Sequence, residues 1–218
     1  MRVLDKGFVE LIDHMGSDLS VVNGARISMG KRKEVFDEKD AGLINYLAEH
    51  DHTSPFRIPH VVLHIKAPIF VMRQWMRYKI GSDFNEISGR YVEFEPEYYV
   101  PEVFRTQSKD VKQGSDGELA FNEKVLARME YENGCTRAFM SYEALLAAGV
   151  AKEQARMVLP LALYTEVYWT ASLQAVAHFL VQRLDPHAQW EIREYAKAVK
   201  ELILPLYPNS LNALLEAK

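Results

Sequence analysis

The sequence lacks several features that would assign it to a secreted or membrane-bound class of protein. Cys135 is the only cysteine among the 218 residues, so no disulfide can form within one chain, which favours a reducing compartment. No apolar run approaches the roughly 20 residues that a bilayer-spanning helix requires, and the amino-terminal stretch lacks the apolar segment of a signal peptide. These absences predict a cytoplasmic protein without a membrane partner.

Nucleic-acid and metal sites are also poorly supported by the sequence. The formal net charge is −4, which argues against the basic surface of a general nucleic-acid-binding protein. Neither GxGxxG nor GxxxxGK(S/T) occurs, so no Rossmann or P-loop nucleotide site is indicated. His50, His52, His60 and His64 match no closed zinc spacing. We therefore expect no nucleic-acid partner and no bound metal.

Hydrophobic patterning predicts a single domain of mixed helix and strand over residues 1–218. Hydrophobic residues make up 48% of the chain, which is enough for one sizeable core. Strands are predicted at 2–4, 8–13, 60–66, 88–94 and 161–169. Helices are predicted at 18–28, 37–49, 67–79, 120–148, 151–159, 172–184, 188–202 and after Pro205, with loops at 80–87 and 107–118. This order of elements indicates an α+β fold with a helical lobe.

The most informative stretch for function is the basic window 73–91. Its four basic and two acidic residues leave a net charge of +2 in an otherwise acidic chain. Arg73 and Arg77 lie one turn apart in the predicted helix, and Ser88 and Arg90 point to the same side of the predicted strand. Guanidinium groups beside hydroxyl and amide donors suit a small phosphorylated ligand. A solvated basic surface is the alternative interpretation.

Two further arginines lie in apolar sequence contexts. Arg156 stands in EQARMVLPL and Arg183 in HFLVQRLDP, so both are predicted to be partly buried. A buried arginine is costly without an anionic partner, so a bound anion is one interpretation. Structural salt bridges from Arg156 to Glu153 and from Arg183 to Asp185 are the alternative.

A spaced motif in the basic window resembles that of a known enzyme family. Arg77-Tyr78-Lys79, eight further residues and Ser88 correspond to a signature of Arg-His-Arg, seven or eight residues and Ser. The segments KAPIFVMRQW, FNEISGRY, ARMVLPLALYT, HAQWEI, LDKGFVELIDHMG and HDHTSPF are similar to family segments in the same order. The chain therefore resembles the flavin-dependent thymidylate synthases along nearly its whole length.

This resemblance implies a fold, a reaction and an assembly. The implied fold is a mostly antiparallel central sheet flanked by helices, with a helical lobe. Members of the family use FAD, NADPH and methylenetetrahydrofolate to convert dUMP to dTMP. They form homotetramers whose active sites are shared between subunits, so the site residues of one chain need not converge.

The resemblance also implies roles for individual residues. Arg183 corresponds to a catalytic arginine that contacts the uracil ring and favours its ionised form. The implied substrate-binding residues are Gln74, Trp75, Met76, Arg77, Glu86, Ile87, Ser88, Gly89, Arg90 and Arg156. The implied flavin-binding residues are Ser28, His52, Ser54, Arg77, Tyr78, Lys79, Ile80, Glu86, Ser172, Gln174 and His178. Trp75 also fits a place in the core or a subunit interface, where such an aromatic residue is found more often than stacked on a base.

Five positions on the flavin side depart from the family pattern. Tyr78 and Lys79 replace His and Arg, while Ser172, Gln174 and His178 stand where Asn, Arg and Asn are usual. Tyr78 can still stack on a ring but carries no positive charge near neutral pH, and Lys79 loses bidentate geometry. Two alternatives therefore stay open: a relative that methylates UMP or another uracil nucleotide, and a nucleotide-binding relative with impaired flavin chemistry.

Overall fold

A five-stranded antiparallel sheet forms the centre of the fold, with its strands in the order 2–3, 7–15, 60–68, 164–172 and 82–86. The computed structural model describes residues 1–110, 112 and 114–217. The strands are β1 Arg2–Val3, β2 Gly7–Met15, β3 His60–Pro68, β4 Ser82–Glu86, β5 Arg105–Gln107, β6 Ser115–Glu118 and β7 Tyr164–Ser172. The helices are α1 Asp18–Arg26, α2 Glu38–Glu49, α3 Ile69–Trp75, α4 Phe121–Ala147, α5 Lys152–Ala155, α6 Leu173–Arg183, α7 Trp190–Ile203 and α8 Pro208–Glu216.

One face of the sheet is buried against helices. Along β3, buried Val61, Leu63 and Ile65 alternate with half-buried residues, as expected for a strand that packs on one side only. The buried side chains join those of α3, α6, α7 and α8 in one hydrophobic core. The long α4 packs with α5 and the turn 156–158 around a smaller core that contains Phe139, Tyr142, Ala155 and Leu163. The predicted α+β class and its helical lobe are confirmed.

The predicted helix 67–79 is shorter than expected at both ends. Ala67 and Pro68 continue β3, where they pair with β7, and the helix ends at Trp75. Tyr78 N–H donates to the Trp75 carbonyl at 3.0 Å, which is the tighter bonding of a turn. Arg73 and Arg77 therefore do not share a helical face, and residues 76–81 form an irregular turn that reaches Gly81 at φ +73°.

The structure of segment 82–94 is the reverse of the prediction. Ser82–Glu86, predicted as a loop, forms edge strand β4, with Phe84 opposite Trp169 of β7. The predicted strand 88–94 is instead a turn, in which the Ser88 carbonyl accepts hydrogen bonds from Tyr91 N at 2.9 Å and Val92 N at 3.1 Å. An edge strand has one unpaired side and tolerates a polar sequence, so its pattern gave no strand signal.

The predicted loop 107–118 contains a hairpin. β5 and β6 pair with Arg105 opposite Glu118 and Gln107 opposite Ser115. Positions 111 and 113 of this segment lie outside the described residues. All four residues of β6 are exposed, so hydrophobic periodicity could not reveal the strand.

Candidate active site

Tyr78 and the exposed end of α6 form the first group of predicted site residues. The Tyr78 hydroxyl donates a hydrogen bond to Gln182 Oε1 at 2.8 Å, and the Arg183 guanidinium carbon lies 5.3 Å from the centre of the Tyr78 ring. The His178 ring meets the same ring at 5.5 Å, tilted by 65°. Positions 178 and 182 lie one helical turn apart, which is why one tyrosine reaches both.

The start of α6 adds Ser172 and Gln174 to this group. Ser172 N–H donates to the Gly81 carbonyl at 2.9 Å, and Ser172 Oγ accepts from Ala175 N at 3.3 Å as the N-cap of α6. The Gln174 amide oxygen is buried and has no hydrogen-bond partner among the described residues. A buried amide oxygen without a partner is costly, so a ligand donor at this position would be stabilising.

A second group lines a cavity of about 530 Å³ beside α1 and the turn 51–55. Ser28, His52 and Ser54 all border this cavity, together with Tyr46. The Tyr46 ring stacks on His50 at 4.0 Å and meets His52 edge-on at 6.1 Å. The structure therefore brings together three residues that were assigned to the flavin from far-apart positions in the sequence.

A third group surrounds the turn after β4. Arg90 Nε donates to Glu153 Oε2 at 3.1 Å, and Ser88 Oγ accepts from Arg90 N at 3.3 Å. A Cβ on Gly89 would lie 3.1 Å from Arg156 Cδ and 2.3 Å from the Phe94 ring, so a larger residue here would force these side chains to move. Ser88, Gly89, Arg90 and Arg156, which the resemblance assigns to the nucleotide, therefore lie close together.

The two arginines in apolar contexts have different surroundings. Arg156 is exposed, and its predicted burial is wrong because the 3-10 turn 156–158 lies at the surface and exposes Met157 and Val158 as well, although Ala155 before it is buried. Arg183 is half-buried, and its buried Nε has no hydrogen-bond partner among the described residues. Within the described part of the chain, Glu153 pairs with Arg90, and neither Arg156 nor Arg183 forms an ion pair.

The remaining predicted substrate residues follow α3 and β4. Gln74 Nε2 donates to Gln189 Oε1 at 2.7 Å, and Gln189 Nε2 donates to Glu191 Oε2 at 3.0 Å. Gln189 lies in the segment HAQWEI, which resembles the family, but it was not predicted as a site residue. Thr165 Oγ1 donates to Glu86 Oε1 at 2.7 Å. The other members differ in exposure: Trp75 is fully buried, Met76 is half-buried, and Arg77, Lys79, Ile80 and Ile87 are exposed.

Trp75 belongs to the aromatic centre of the core. Its ring stacks on Phe179 at 4.4 Å and meets Trp169 edge-on at 5.3 Å. Only the backbone of Trp75 could reach a ligand. Its side chain instead anchors α3, and with it the turn that carries Arg77, Tyr78 and Lys79.

A larger cavity of about 690 Å³ lies away from all three groups. It is bordered by β1, the segment before β5 and the outer side of α7, and no predicted site residue lines it. Its most prominent cation, Arg105, is already bound by the buried Glu191 at 2.9 Å and 3.0 Å. We assign no ligand to this cavity.

The chain's relatives show which family it belongs to. The family model described as "Thymidylate synthase complementing protein" matches residues 10–209. A flavin-dependent thymidylate synthase of Thermus thermophilus is 51% identical over 208 residues, which is 94% of this chain and 74% of that protein. The chain belongs to the flavin-dependent thymidylate synthase family. Its members are methyltransferases, and a second one, from Thermosipho africanus, is 42% identical over 219 residues, covering 99% of this chain and 93% of that protein.

A solved member of the same fold gives an independent match. The crystal structure of the UMP/dUMP methylase PolB from Streptomyces cacaoi bound with 5-Br dUMP superposes with a TM-score of 0.87 at 32% identity. The match covers 98% of this chain and 96% of that chain. The chain therefore shares its antiparallel sheet and flanking helices with this solved methylase.

Two features are absent from the described residues. None of the helices in the described ranges is long and apolar enough to cross a membrane. No group of three or more histidine, cysteine, aspartate or glutamate side chains in that part of the chain is arranged to hold a metal ion.

Proposed function

We propose that this protein carries out the reductive methylation of dUMP to dTMP, with FAD as its cofactor, methylenetetrahydrofolate as carbon donor and NADPH as reductant. Membership of the family supports a flavin and a uracil nucleotide. The observation that carries the proposal is Arg183, whose half-buried guanidinium contacts the neutral Tyr78 ring and no carboxylate in the described part of the chain. Its positive charge is therefore available to a ligand.

The polar groups around α6 and the 51–55 turn fit a flavin. Gln174 presents a buried amide oxygen without a partner among the described residues, and Gly81 lies where any side chain would meet Ser172 Oγ at 2.8 Å. Ser28, His52 and Ser54 are distant in sequence from these residues and line a cavity. We infer that both groups hold the flavin, which supplies the redox chemistry when bound.

Arg183 would act on the uracil ring electrostatically. The C6 carbon of uracil accepts a hydride poorly unless negative charge on the ring is stabilised. A guanidinium at the carbonyl edge stabilises that charge as it develops, and the effect is larger where protein excludes water. The Tyr78 ring beneath Arg183 is 7% exposed, which keeps water from that side of the guanidinium.

The nucleotide phosphate would bind the third group. Ser88, Arg90 and Arg156 present a hydroxyl and two guanidinium groups next to the close turn at Gly89. Arginine suits phosphate because its planar N–H groups match the phosphate oxygens. We place Gln74 and Arg77 with the nucleotide as well, as the resemblance implies.

We further propose a homotetramer with shared active sites, located in the cytoplasm. The predicted residues of one chain form three groups, and Arg77, Lys79 and Ile80 project from the turn after α3, with Ile80 90% exposed. An exposed isoleucine beside cofactor-binding residues is consistent with cover from a second copy of the chain. The single cysteine supports the reducing compartment.

UMP is the second candidate substrate. The Streptomyces cacaoi methylase has also been solved with 5-Br UMP, and that structure matches with a TM-score of 0.86 at 31% identity over 99% of this chain and 96% of that chain. The departures at Tyr78 and Lys79 leave this alternative open.

A direct competition distinguishes these functions. Purified protein is incubated with FAD, NADPH, methylenetetrahydrofolate and equal dUMP and UMP, and methylated nucleotide is identified by mass. We expect dTMP, and we expect Arg183→Gln to abolish most of it while retaining bound flavin. Product from UMP alone would select the second candidate. Bound nucleotide without product and without flavin uptake would indicate the nucleotide-binding relative.

A further inference from the structure

Tyr78 contacts two consecutive residues of α6, Gln182 and Arg183. Its hydroxyl donates to Gln182 Oε1 at 2.8 Å, and its ring lies under the Arg183 guanidinium at 5.3 Å from ring centre to guanidinium carbon. The hydroxyl thus fixes one end of the ring while the ring face meets the cation. This distance is within the range of a cation–π interaction.

The tyrosine ring is itself held firmly. It is 7% exposed, and Phe179 meets it edge-on at 5.3 Å with the ring planes at 86°. The peptide of Tyr78 is anchored by the hydrogen bond from its N–H to the Trp75 carbonyl at 3.0 Å. By contrast, the buried Nε of Arg183 has no hydrogen-bond partner among the described residues. The Tyr78 side chain therefore restrains the guanidinium.

The tyrosine hydroxyl remains neutral at physiological pH. Burial raises the pKa of Tyr78, and this outweighs the opposing attraction of the Arg183 charge. A neutral ring holds a cation by its face and leaves the N–H edge of the guanidinium for an acceptor such as a uracil carbonyl. A carboxylate partner would occupy that edge and neutralise the charge.

We propose that Tyr78 is a positioning residue that holds Arg183 through its ring face for the uracil nucleotide, with Gln182 fixing the ring. The inference rests on the proposed function and assigns a role to one of the positions at which this chain departs from the family pattern. A histidine at position 78 would present a titratable ring to Arg183. Tyrosine makes the contact independent of pH near neutrality.

The test compares nucleotide binding in matched variants. Tyr78→Leu removes the ring face, and Tyr78→Phe keeps the ring while removing the bond to Gln182. We expect Tyr78→Leu to weaken dUMP and UMP binding between about twofold and about thirtyfold, the range of one cation–π contact. Tyr78→Phe and Gln182→Leu should each weaken binding less than Tyr78→Leu does, since both keep the ring at the guanidinium. Melting temperature and flavin absorbance monitor folding and cofactor binding.

A double-mutant cycle separates positioning from a merely structural role. In an Arg183→Gln background, Tyr78→Leu should have no further effect on nucleotide affinity, because the cation that the ring holds is absent. An equal loss in both backgrounds would overturn the proposal. The ultraviolet spectrum of bound nucleotide provides a second measurement: the pH at which the uracil ionises should rise in Tyr78→Leu and stay unchanged in Tyr78→Phe.

A pH comparison covers the case in which the leucine variant fails to fold. Tyr78→His keeps a ring, and its nucleotide affinity should fall below about pH 6.5, where imidazole becomes charged beside Arg183. The wild type should show no corresponding step. A Tyr78→His profile that matches the wild type overturns the positioning role alone. Wild-type protein that binds neither nucleotide overturns the proposed function, and the inference with it.

Discussion

Gly81 should resist substitution more strongly than its exposed position suggests. Its φ of +73° is in the left-handed region, and an added Cβ would lie 2.8 Å from Ser172 Oγ. That hydroxyl caps α6 by accepting from Ala175 N, so it cannot move away without weakening the cap. We predict that Gly81→Ala destabilises the protein through both the backbone and the cap.

The magnitude follows from these two contributions. Alanine in the left-handed region costs about 1 kcal/mol, and loss of a serine N-cap costs about 1 kcal/mol. Gly81→Ala should therefore lower the free energy of unfolding by about 2 kcal/mol. Gly149→Ala is the matched control, because Gly149 has φ +82° and no atom within 4 Å of the added Cβ. It should lose only about 1 kcal/mol.

Urea unfolding followed by circular dichroism measures both variants. Ser172→Ala is a second control. In that background the N-cap of α6 is already lost, so adding Gly81→Ala should lower the free energy of unfolding only by the backbone contribution. Flavin affinity should fall in Gly81→Ala and remain at the wild-type level in Gly149→Ala. Equal destabilisation by Gly81→Ala and Gly149→Ala, or an undiminished effect in the Ser172→Ala background, would refute the reasoning.

Three further predictions concern charge, chemistry and the core. Burial opposes the charged form of Asp40, but hydrogen bonds from Lys33, the backbone of Asp37 and Arg26 hold its pKa below the ordinary value. Ionised Asp40 therefore stabilises the folded protein above about pH 4, and this contribution to the free energy of unfolding is lost as pH falls further. Urea unfolding at several pH values should show this loss in the wild type and a smaller pH dependence in Asp40→Asn. Arg183→Gln should lower kcat by about 100-fold or more, as removal of one charge-stabilising donor does; steady-state kinetics that leave kcat within about threefold of the wild type would contradict the electrostatic role. Trp75→Ala should lower the free energy of unfolding by about 3–5 kcal/mol because it opens a cavity in the core, and Trp75→Phe by less; equal values in urea unfolding would contradict the packing described.

Family membership was readable from the sequence because it rests on several short segments in a fixed order. The signature 77–88 and the segments around it need no structure to be matched. The long helices were also predictable, since α4 and α7 carry helix-forming residues over several turns, and Gly149 ends the first of them at φ +82° as expected of a residue just past a helix. Helices of this length can be predicted from their own residues, whatever elements pack against them.

Segment 67–94 was predicted poorly because tertiary pairing decides its structure. Ala67 and Pro68 are drawn into β3 by their partners in β7, which shortens the helix at its start. Ser82–Glu86 becomes a strand only because β7 offers it a free edge. Local propensity contains neither interaction. The predicted helix 67–79 was therefore too long, and a strand was predicted at 88–94 instead of 82–86.

The sequence by itself determined the family, the α+β class, the long helices and the set of candidate site residues. Only the tertiary structure decided how those residues are grouped, since proximity between Tyr78 and Arg183, or between Ser28 and His52, depends on packing between elements distant in the chain. It also decided that Arg156 is exposed while Arg183 is half-buried. Apolar neighbours in sequence do not fix burial, because a short surface turn can expose an arginine while the alanine before it is buried, whereas a helix packed on a sheet keeps most of its length covered.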